Sequence, residues 1–401
     1  MIDLNRDNDL RADAILVLTL ALMAVGLVMV ASTSVSLDRS LLSAGLWRTP
    51  FGRQLVFAAC GLVILFGAAR VAPAVLASTV WRNRFAWGAL AVAVLLLAAA
   101  YVPGFADPRR GSHRWLRIPG GGLDLALQPS ELAKPAMVAA LAALLAGASA
   151  LPRSFLRGFL PAVAVIGICV GLVGKADFGT CAVIGAVGGM MLVAAGCRIP
   201  HLGLLALGGA AGMYRLITAE KYRMDRITAF LALDQDPQGK AYQPLQSLGT
   251  VASGGWFGRG LGSGLQKHGY LPESHTDFIF SVVCEETGVL GALFLIGLFC
   301  AILWLGFKTM MAAKSPFERL LATGLTALIA CQAGLNMAVA TVLTPTTGVS
   351  LPFISAGGSG LLTSCLAMGL LSAVARRGGA TADDDVGSAV SVGGCRTLVV
   401  G

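Results

Sequence analysis

Apolar residues gather into ten runs along the chain, at 14–31, 55–69, 85–102, 132–148, 159–173, 179–195, 202–217, 278–307, 320–342 and 358–375. A membrane helix needs about 17–25 mostly apolar residues, so the pattern predicts an all-α integral membrane protein of about ten transmembrane helices. The second and seventh runs are short, and the eighth is long and begins with acids. The leader of the first run carries Asp3, Asp7, Asp9 and Asp13 against Arg6 and Arg11. Secretory leaders are net positive, so this run reads as a retained helix. The chain then divides into a cytoplasmic N-terminal segment at 1–13, a membrane domain at 14–377 with a large extracytoplasmic loop at 218–277, and a Gly-, Ala-, Ser- and Asp-rich tail at 378–401 whose composition reads as disordered.

Composition agrees with the pattern. Charged residues make up 13% and hydrophobic ones 56%, against about 25% charged in soluble domains, which excludes an ordinary water-soluble enzyme. The net charge of +9 would suggest nucleic acid on a soluble protein, but here membrane topology comes first. An even span count puts both termini on one side, and the short loops of that side carry Arg70, Arg82, Arg84, Arg153, Arg157, Arg198, Lys308, Lys314, Arg319, Arg376 and Arg377. The positive-inside rule makes that side cytoplasmic. Fourteen basic residues lie there and fourteen lie on the other side. Ten of the outer ones fall in the segments 103–131 and 218–277, long loops that the rule does not govern. They are either solvated loop surface or an anion site for phosphate. The nine cysteines include no CxxC pair and read as small hydrophobes rather than a disulfide framework or zinc site.

Ionisable residues at membrane depth cost about 2.5–3.5 kcal/mol on insertion scales and are functional candidates for that reason. Four places qualify. In Gln128-Pro129-Ser130-Glu131-Leu132-Ala133-Lys134-Pro135, Ser130 is expected to cap the fourth span, while Glu131 and Lys134 share a face at i,i+3. They form either a structural ion pair or a substrate contact. In Lys175-Ala176-Asp177-Phe178, Asp177 reads as a helix cap. The third place is the glycine-rich stretch 254–264 with Arg259, followed by Glu273-Ser274-His275-Thr276-Asp277. No strand and helix unit surrounds those glycines, so they are not a nucleotide loop. Asp277 stands where water gives way to the apolar run, a position that would raise its pKa and suit general-base work. In a continuous helix Glu285 and Glu286 would lie about 12 and 13 Å deeper and about 80° and 180° round from Asp277, so one of them should pair elsewhere in the bundle. The fourth place, 343–359, is uncharged and rich in proline and glycine. It suits a cavity lining, because such backbone enters a membrane only where protein covers it.

The segments GSHRW, QPSELAKPAMV, DPQGKAYQPLQSLGTVASGGWFGRGLG, YLPESHTDFIFSVVCEETGVLG and PTTGVSLPFISAGGS resemble, in order, the signatures of the SEDS family of bacterial cell-envelope proteins, from the first span to Arg377. The segments VGLVMVASTS, QKHGYLPESHTDFIF and PTTGVSLPF look more like its division branch than its elongation branch. The resemblance implies a peptidoglycan glycosyltransferase that polymerises lipid II in the bacterial cytoplasmic membrane at the division site. Its implied partners are a class B penicillin-binding protein and other division-complex membrane proteins, with no nucleic acid.

By position, the resemblance makes Asp277 the essential aspartate and Glu131 with Lys134 the polar pair of a central cavity. His275, Thr276, Glu273 and Arg259 are motif neighbours. The chain departs from the pattern at Lys175 and Ala176, where Gln and Pro are usual, and at Ala356 and Gly360, where Tyr and Ser are usual. Asp277 is then the expected base for an acceptor hydroxyl. Lys134, Arg259 and some of Arg109, Arg110, Arg114 and Arg117 are expected to hold the departing pyrophosphate, with Mg²⁺ or Mn²⁺ as an optional cofactor. The rival readings are a flippase for the lipid-linked precursor, which ten spans and broken loops also suit, and a noncatalytic division scaffold.

Overall fold

The computed structural model describes residues 4–35, 49–102, 106–107, 115–118, 125–147, 152–174, 176–234, 236, 238–264 and 275–378. Twelve α-helices run through the described residues: α1 (Leu4–Val35), α2 (Pro50–Ala77), α3 (Thr79–Ala99), α4 (Pro129–Leu145), α5 (Leu160–Gly174), α6 (Phe178–Ala194), α7 (Ile199–Thr218), α8 (Lys221–Leu231), α9 (Tyr242–Ser253), α10 (Ile279–Ala312), α11 (Pro316–Ala340) and α12 (Gly358–Arg377). Ten of them occupy the ten predicted runs, so the membrane domain is helical as its pattern requires. Seven are long and apolar enough to cross a membrane by length and composition, and α7 with α8, bent by 101°, counts as an eighth. The remaining two, α4 and α6, have 17 residues each, the short end of the spanning range.

Four details differ from the pattern. Outside the spans, strands β1 (Ala106–Asp107), β2 (Trp115–Ile118) and β3 (Leu125–Leu127) form a small three-stranded antiparallel sheet in order β1-β2-β3, in a link too polar to cross a membrane. α1 already starts at Leu4, so the helix of the first run extends back into 1–13. The loop 218–277 is partly folded, because α8 and α9 lie within it. The eighth run is not one continuous helix, since Gly288 breaks α10 with φ 70° and ψ −169°. The tail beyond residue 378 lies outside the described residues.

Ion pairs gather the described ends of the chain on one face. Arg376 at the end of α12 meets Asp13 in α1 at 2.8 Å, and Arg377 meets Glu318 at the start of α11 at 2.7 Å. Arg377 also donates to the carbonyl of Pro73 in α2 at 2.9 Å. The described start and end of the chain therefore share the face that the positive-inside rule makes cytoplasmic. α11 begins there with a full capping box, Ser315 and Glu318 exchanging hydrogen bonds at 3.2 and 3.4 Å.

At the centre stands α4, buried along nearly its whole length, whereas α7 buries no residue and lies at the periphery. Close packing uses small residues: Gly61 of α2 sits against Cys365 of α12, and Gly369 of α12 against the backbone of α2 at Leu65. The described cysteines are all free, as their apolar setting predicts.

Candidate functional site

A cavity of about 1280 Å³ opens on the face opposite the described ends of the chain, and its wall includes Glu131 from the first turn of α4, Thr276 and Asp277 just before α10, and Arg223 and Arg226 from α8. The segment 343–359, expected as a lining, supplies Pro345, Thr346, Thr347, Gly348, Ser350, Ala356, Gly357 and Ser359. Trp115 of β2 also reaches the wall, so the small sheet lies at this site.

The backbone that carries Asp277 is fastened by the segment between α11 and α12. The amide of Ala356 donates to the His275 carbonyl at 2.9 Å. The Ser355 hydroxyl donates to the Thr276 carbonyl at 2.6 Å. The Asn336 side-chain amide donates to the Asp277 carbonyl at 2.9 Å and to the Val349 carbonyl at 2.8 Å. Three consecutive carbonyls that precede a helix, and so lack helical partners, are thereby satisfied from α11 and the lining segment. Asp277 is half-buried, with Phe278 buried behind it.

Glu131 and Lys134 form an ion pair at 2.8 Å, with side chains only 8% and 2% exposed. Glu131 reaches the cavity wall and Lys134 stands one turn behind it. Ser130 is not the cap. The N-cap position of α4 is Gln128, which makes no side-chain cap bond; its side chain reaches Asp177 at 3.4 Å and its backbone N–H reaches Ser359 at 3.4 Å. Asp177 is the cap expected for α6, accepting from Thr180 N at 3.1 Å and Thr180 Oγ1 at 2.9 Å. Ala176, Ala356 and Gly360, three of the four departures from the family pattern, all line the cavity; Lys175 lies outside the described residues.

The glycine-rich stretch has a different task. The break at Gly288 removes the helical partners of the groups around it, and the turn from Gly254 to Gly260 replaces them. Val289 N and Leu290 N donate to the carbonyls of Gly255 and Trp256 at 3.0 and 3.3 Å, while Arg259 N and Gly260 N donate to the carbonyls of Glu285 and Glu286 at 2.9 and 3.0 Å. Gly258, at φ 77°, lies so close that a Cβ would overlap the Glu286 carbonyl. Arg259 is exposed, its Nε donates to the Ser253 carbonyl at 3.3 Å, and it is not in the cavity wall. The structure thus places Arg259 on this staple rather than among the residues of the cavity wall. Glu285 and Glu286 are buried away from the wall. Glu286 accepts from Ser32 of α1 at 2.7 Å, the pairing elsewhere in the bundle that helix geometry calls for.

Arg114 and Glu273 lie outside the described residues, as do Arg109, Arg110 and Lys267; of Arg117 only the backbone is described. Arg223 and Arg226 in the wall and Asn336 behind Asp277 are residues of this region that the sequence pattern does not single out. The arginines are visible as an i,i+3 pair in the outer loop, but nothing in a sequence places a neutral asparagine behind an aspartate 59 positions away. Outside the wall, the Asp225 carboxylate pairs with Lys240 at 2.8 Å and raises its pKa by hydrogen bonding. Among the described residues no three His, Cys, Asp or Glu side chains gather as a metal site.

A family model for FtsW, RodA and SpoVE, described as "Cell cycle protein", matches residues 13–378. The chain belongs to this family. A similar relative is the "Probable peptidoglycan glycosyltransferase FtsW" of Trichlorobacter lovleyi, 39% identical over 89% of this chain and 91% of that protein. "Stage V sporulation protein E" of Bacillus subtilis is 36% identical over 90% of this chain and 96% of that protein. Among solved structures, a chain described under "Structural coordination of polymerization and crosslinking by a peptidoglycan synthase complex" superposes with a TM-score of 0.72 at 26% identity, covering 91% of this chain and 97% of that one. The rod shape determining protein RodA of Thermus thermophilus superposes with a TM-score of 0.62 at 26% identity, covering 90% and 95%. Membership of the FtsW/RodA/SpoVE family makes the chain a multi-pass membrane protein.

Proposed function

We propose that this chain is a peptidoglycan glycosyltransferase that polymerises lipid II at the outer face of the bacterial cytoplasmic membrane, in septal wall synthesis, beside a class B penicillin-binding protein. The observation that carries the reading is the cavity that joins Asp277, Glu131 and two arginines on the face opposite the described ends of the chain. Its volume of about 1280 Å³ exceeds the roughly 300–1,000 Å³ of small-molecule pockets, which leaves room for a sugar head group with the groups it carries. The names of the relatives and the synthase complex among the structural neighbours support the same assignment.

In this reading Asp277 accepts the proton of the acceptor sugar hydroxyl. The hydroxyl oxygen bonds to the donor anomeric carbon, the bond from that carbon to the lipid pyrophosphate breaks, and its electron pair stays on the pyrophosphate oxygen. The leaving group is already a stabilised anion, so the protein must hold charge there rather than donate a proton. Among the described residues no three His, Cys, Asp or Glu side chains gather to hold Mg²⁺ or Mn²⁺ unaided; a cation shared between a wall carboxylate and the substrate phosphates would supply charge at the leaving group. Asp277→Asn, purified with its partner, should insert, assemble and fail to polymerise lipid II on a gel assay. Polymer formed at the wild-type rate would overturn the base assignment, and flipping of fluorescent precursor without polymer would favour a transporter.

A further inference from the structure

Among the described residues of the cavity wall the basic side chains are Arg223 and Arg226. The acids there are Glu131, Glu220 and Asp277, and Glu131 is already paired with Lys134. The 101° bend between α7 and α8 turns α8 across the bundle end, and the i,i+3 spacing puts both arginines on one of its faces with Cβ atoms about 5–6 Å apart.

Carbonyl and hydroxyl oxygens orient both guanidinium groups. Arg223 donates to the carbonyls of Leu216 at 2.8 Å and Gly174 at 2.9 Å, at the ends of α7 and α5. Arg226 donates to the Thr346 carbonyl at 2.8 Å and to the Tyr222 hydroxyl, with its guanidinium 4.5 Å from the Tyr222 ring centroid. Arg226 thereby ties α8 to the same lining segment that fastens Asp277. Three other cations are placed elsewhere: Lys134 is committed to Glu131, Lys240 to Asp225, and Arg259 lies outside the wall.

We propose that Arg223 and Arg226 form the diphosphate subsite of the cavity and hold the pyrophosphate of an isoprenoid-linked donor. The assignment rests on the glycosyltransferase reading. Guanidinium forks suit phosphate oxygens bidentately, and fixed carbonyl tethers lower the ordering cost of binding. Both terminal nitrogens of each guanidinium already donate to protein oxygens, so the remaining N–H groups and the two adjacent charges are what two phosphates would meet. A monophosphate would engage one of the two charges fully.

The test measures binding of undecaprenyl pyrophosphate to the purified full-length protein, with undecaprenyl monophosphate and inorganic pyrophosphate as competitors. Wild type should prefer the lipid diphosphate to the monophosphate by at least about tenfold, and inorganic pyrophosphate should compete. Removing one charge-assisted hydrogen bond should weaken binding about tenfold, so Arg223→Gln/Arg226→Gln should bind the two lipids alike. If the double variant does not fold, the single variants carry the same test, each expected to lose about tenfold for the diphosphate only. An unchanged preference, or competition set by the lipid tail irrespective of phosphate number, overturns the subsite. Because the readout is binding, a preserved arginine-dependent preference in a protein that never polymerises would sink the glycosyltransferase reading and leave the subsite standing. Wild-type polymerisation and binding by the glutamine pair would sink the subsite alone.

Discussion

The side-chain amide of Asn336 in α11 bridges the carbonyl of Asp277, at 2.9 Å, and the carbonyl of Val349, at 2.8 Å. Asn336 is itself 1% exposed. The residue assigned as the base is thus held from behind by a neutral amide that joins it to the cavity lining. With the bonds from Ser355 and Ala356 to Thr276 and His275, the position of the carboxylate depends on the segment 343–359 more than on α10.

Asn336→Leu keeps the branched shape at a somewhat larger volume and removes both N–H donors. Each buried carbonyl left unsatisfied costs about 1–3 kcal/mol, and the looser Asp277 backbone should lower kcat at least about tenfold with little change in KM, since misplacement by an ångström is severe for reacting groups. Ser247→Ala is the comparison. It removes buried hydrogen bonds to Ser281 and Ala340 at 2.7 Å that do not touch the Asp277 backbone, so it should lower the melting temperature while leaving kcat near wild type. Equal kcat loss in both variants would show that Asn336 acts through general stability only.

The Glu131 and Lys134 pair predicts asymmetry between single and double changes. With both groups buried, Glu131→Gln or Lys134→Met alone strands a charge and should destabilise by about 3–5 kcal/mol. The double variant removes both charges and should recover much of that melting temperature. Activity should not recover with it, because Glu131 lines the cavity. A double variant with restored polymerisation would make the pair purely structural.

Much of this architecture is legible in the sequence because membrane spans are written in long apolar runs, and few other patterns satisfy the backbone in lipid. The four places singled out by ionisable or broken sequence are all structured where described, and all four reach one cavity: Glu131, Ala176 with Phe178, Asp277 and the 343–359 lining. Pairing between distant segments is what the sequence hides. The glycines at 254–264 look like a loop in search of a ligand, yet they serve the backbone of α10 at Gly288, whose break no run of apolar residues reveals. Arg259, a motif neighbour of Asp277 in the sequence, sits on that staple. Arg223 and Arg226, farther away in sequence, reach the wall because α8 folds back across the bundle.

The staple at the α10 break makes its own prediction. Gly255 has φ 55° with open space where a Cβ would go, whereas at Gly258 the same addition meets the Glu286 backbone. Gly255→Ala should therefore cost only the left-handed backbone penalty of about 1–2 kcal/mol. Gly258→Ala adds a backbone displacement and should cost clearly more, separating the turn from α10. Thermal unfolding of the two purified variants gives the comparison, and equal melting temperatures would contradict the inserted-turn geometry.

Two glycines of the cavity wall region should respond in opposite directions. At Gly360, in the first turn of α12, an added Cβ would lie 3.4 Å from Glu131 Oε2 and 3.5 Å from Ser350 Oγ, ordinary contact distances, and replacing a helical glycine by alanine gains about 0.5–1 kcal/mol. Gly360→Ala should raise the melting temperature, and Gly360→Ser, the residue usual in the family pattern, should keep polymerisation while adding a hydroxyl beside Glu131. At Gly179, in α6, a Cβ would sit 2.6 Å from Val349 Cγ2 and 2.7 Å from the Thr347 carbonyl. Gly179→Ala must push α6 and the lining segment apart, an overpacking cost of about 1–3 kcal/mol. Because that segment also holds Asp277, polymerisation should fall along with stability. Melting curves and polymerisation rates of the variants decide the matter: a stabilised, active Gly179→Ala would mean that α6 does not press on the lining of the cavity.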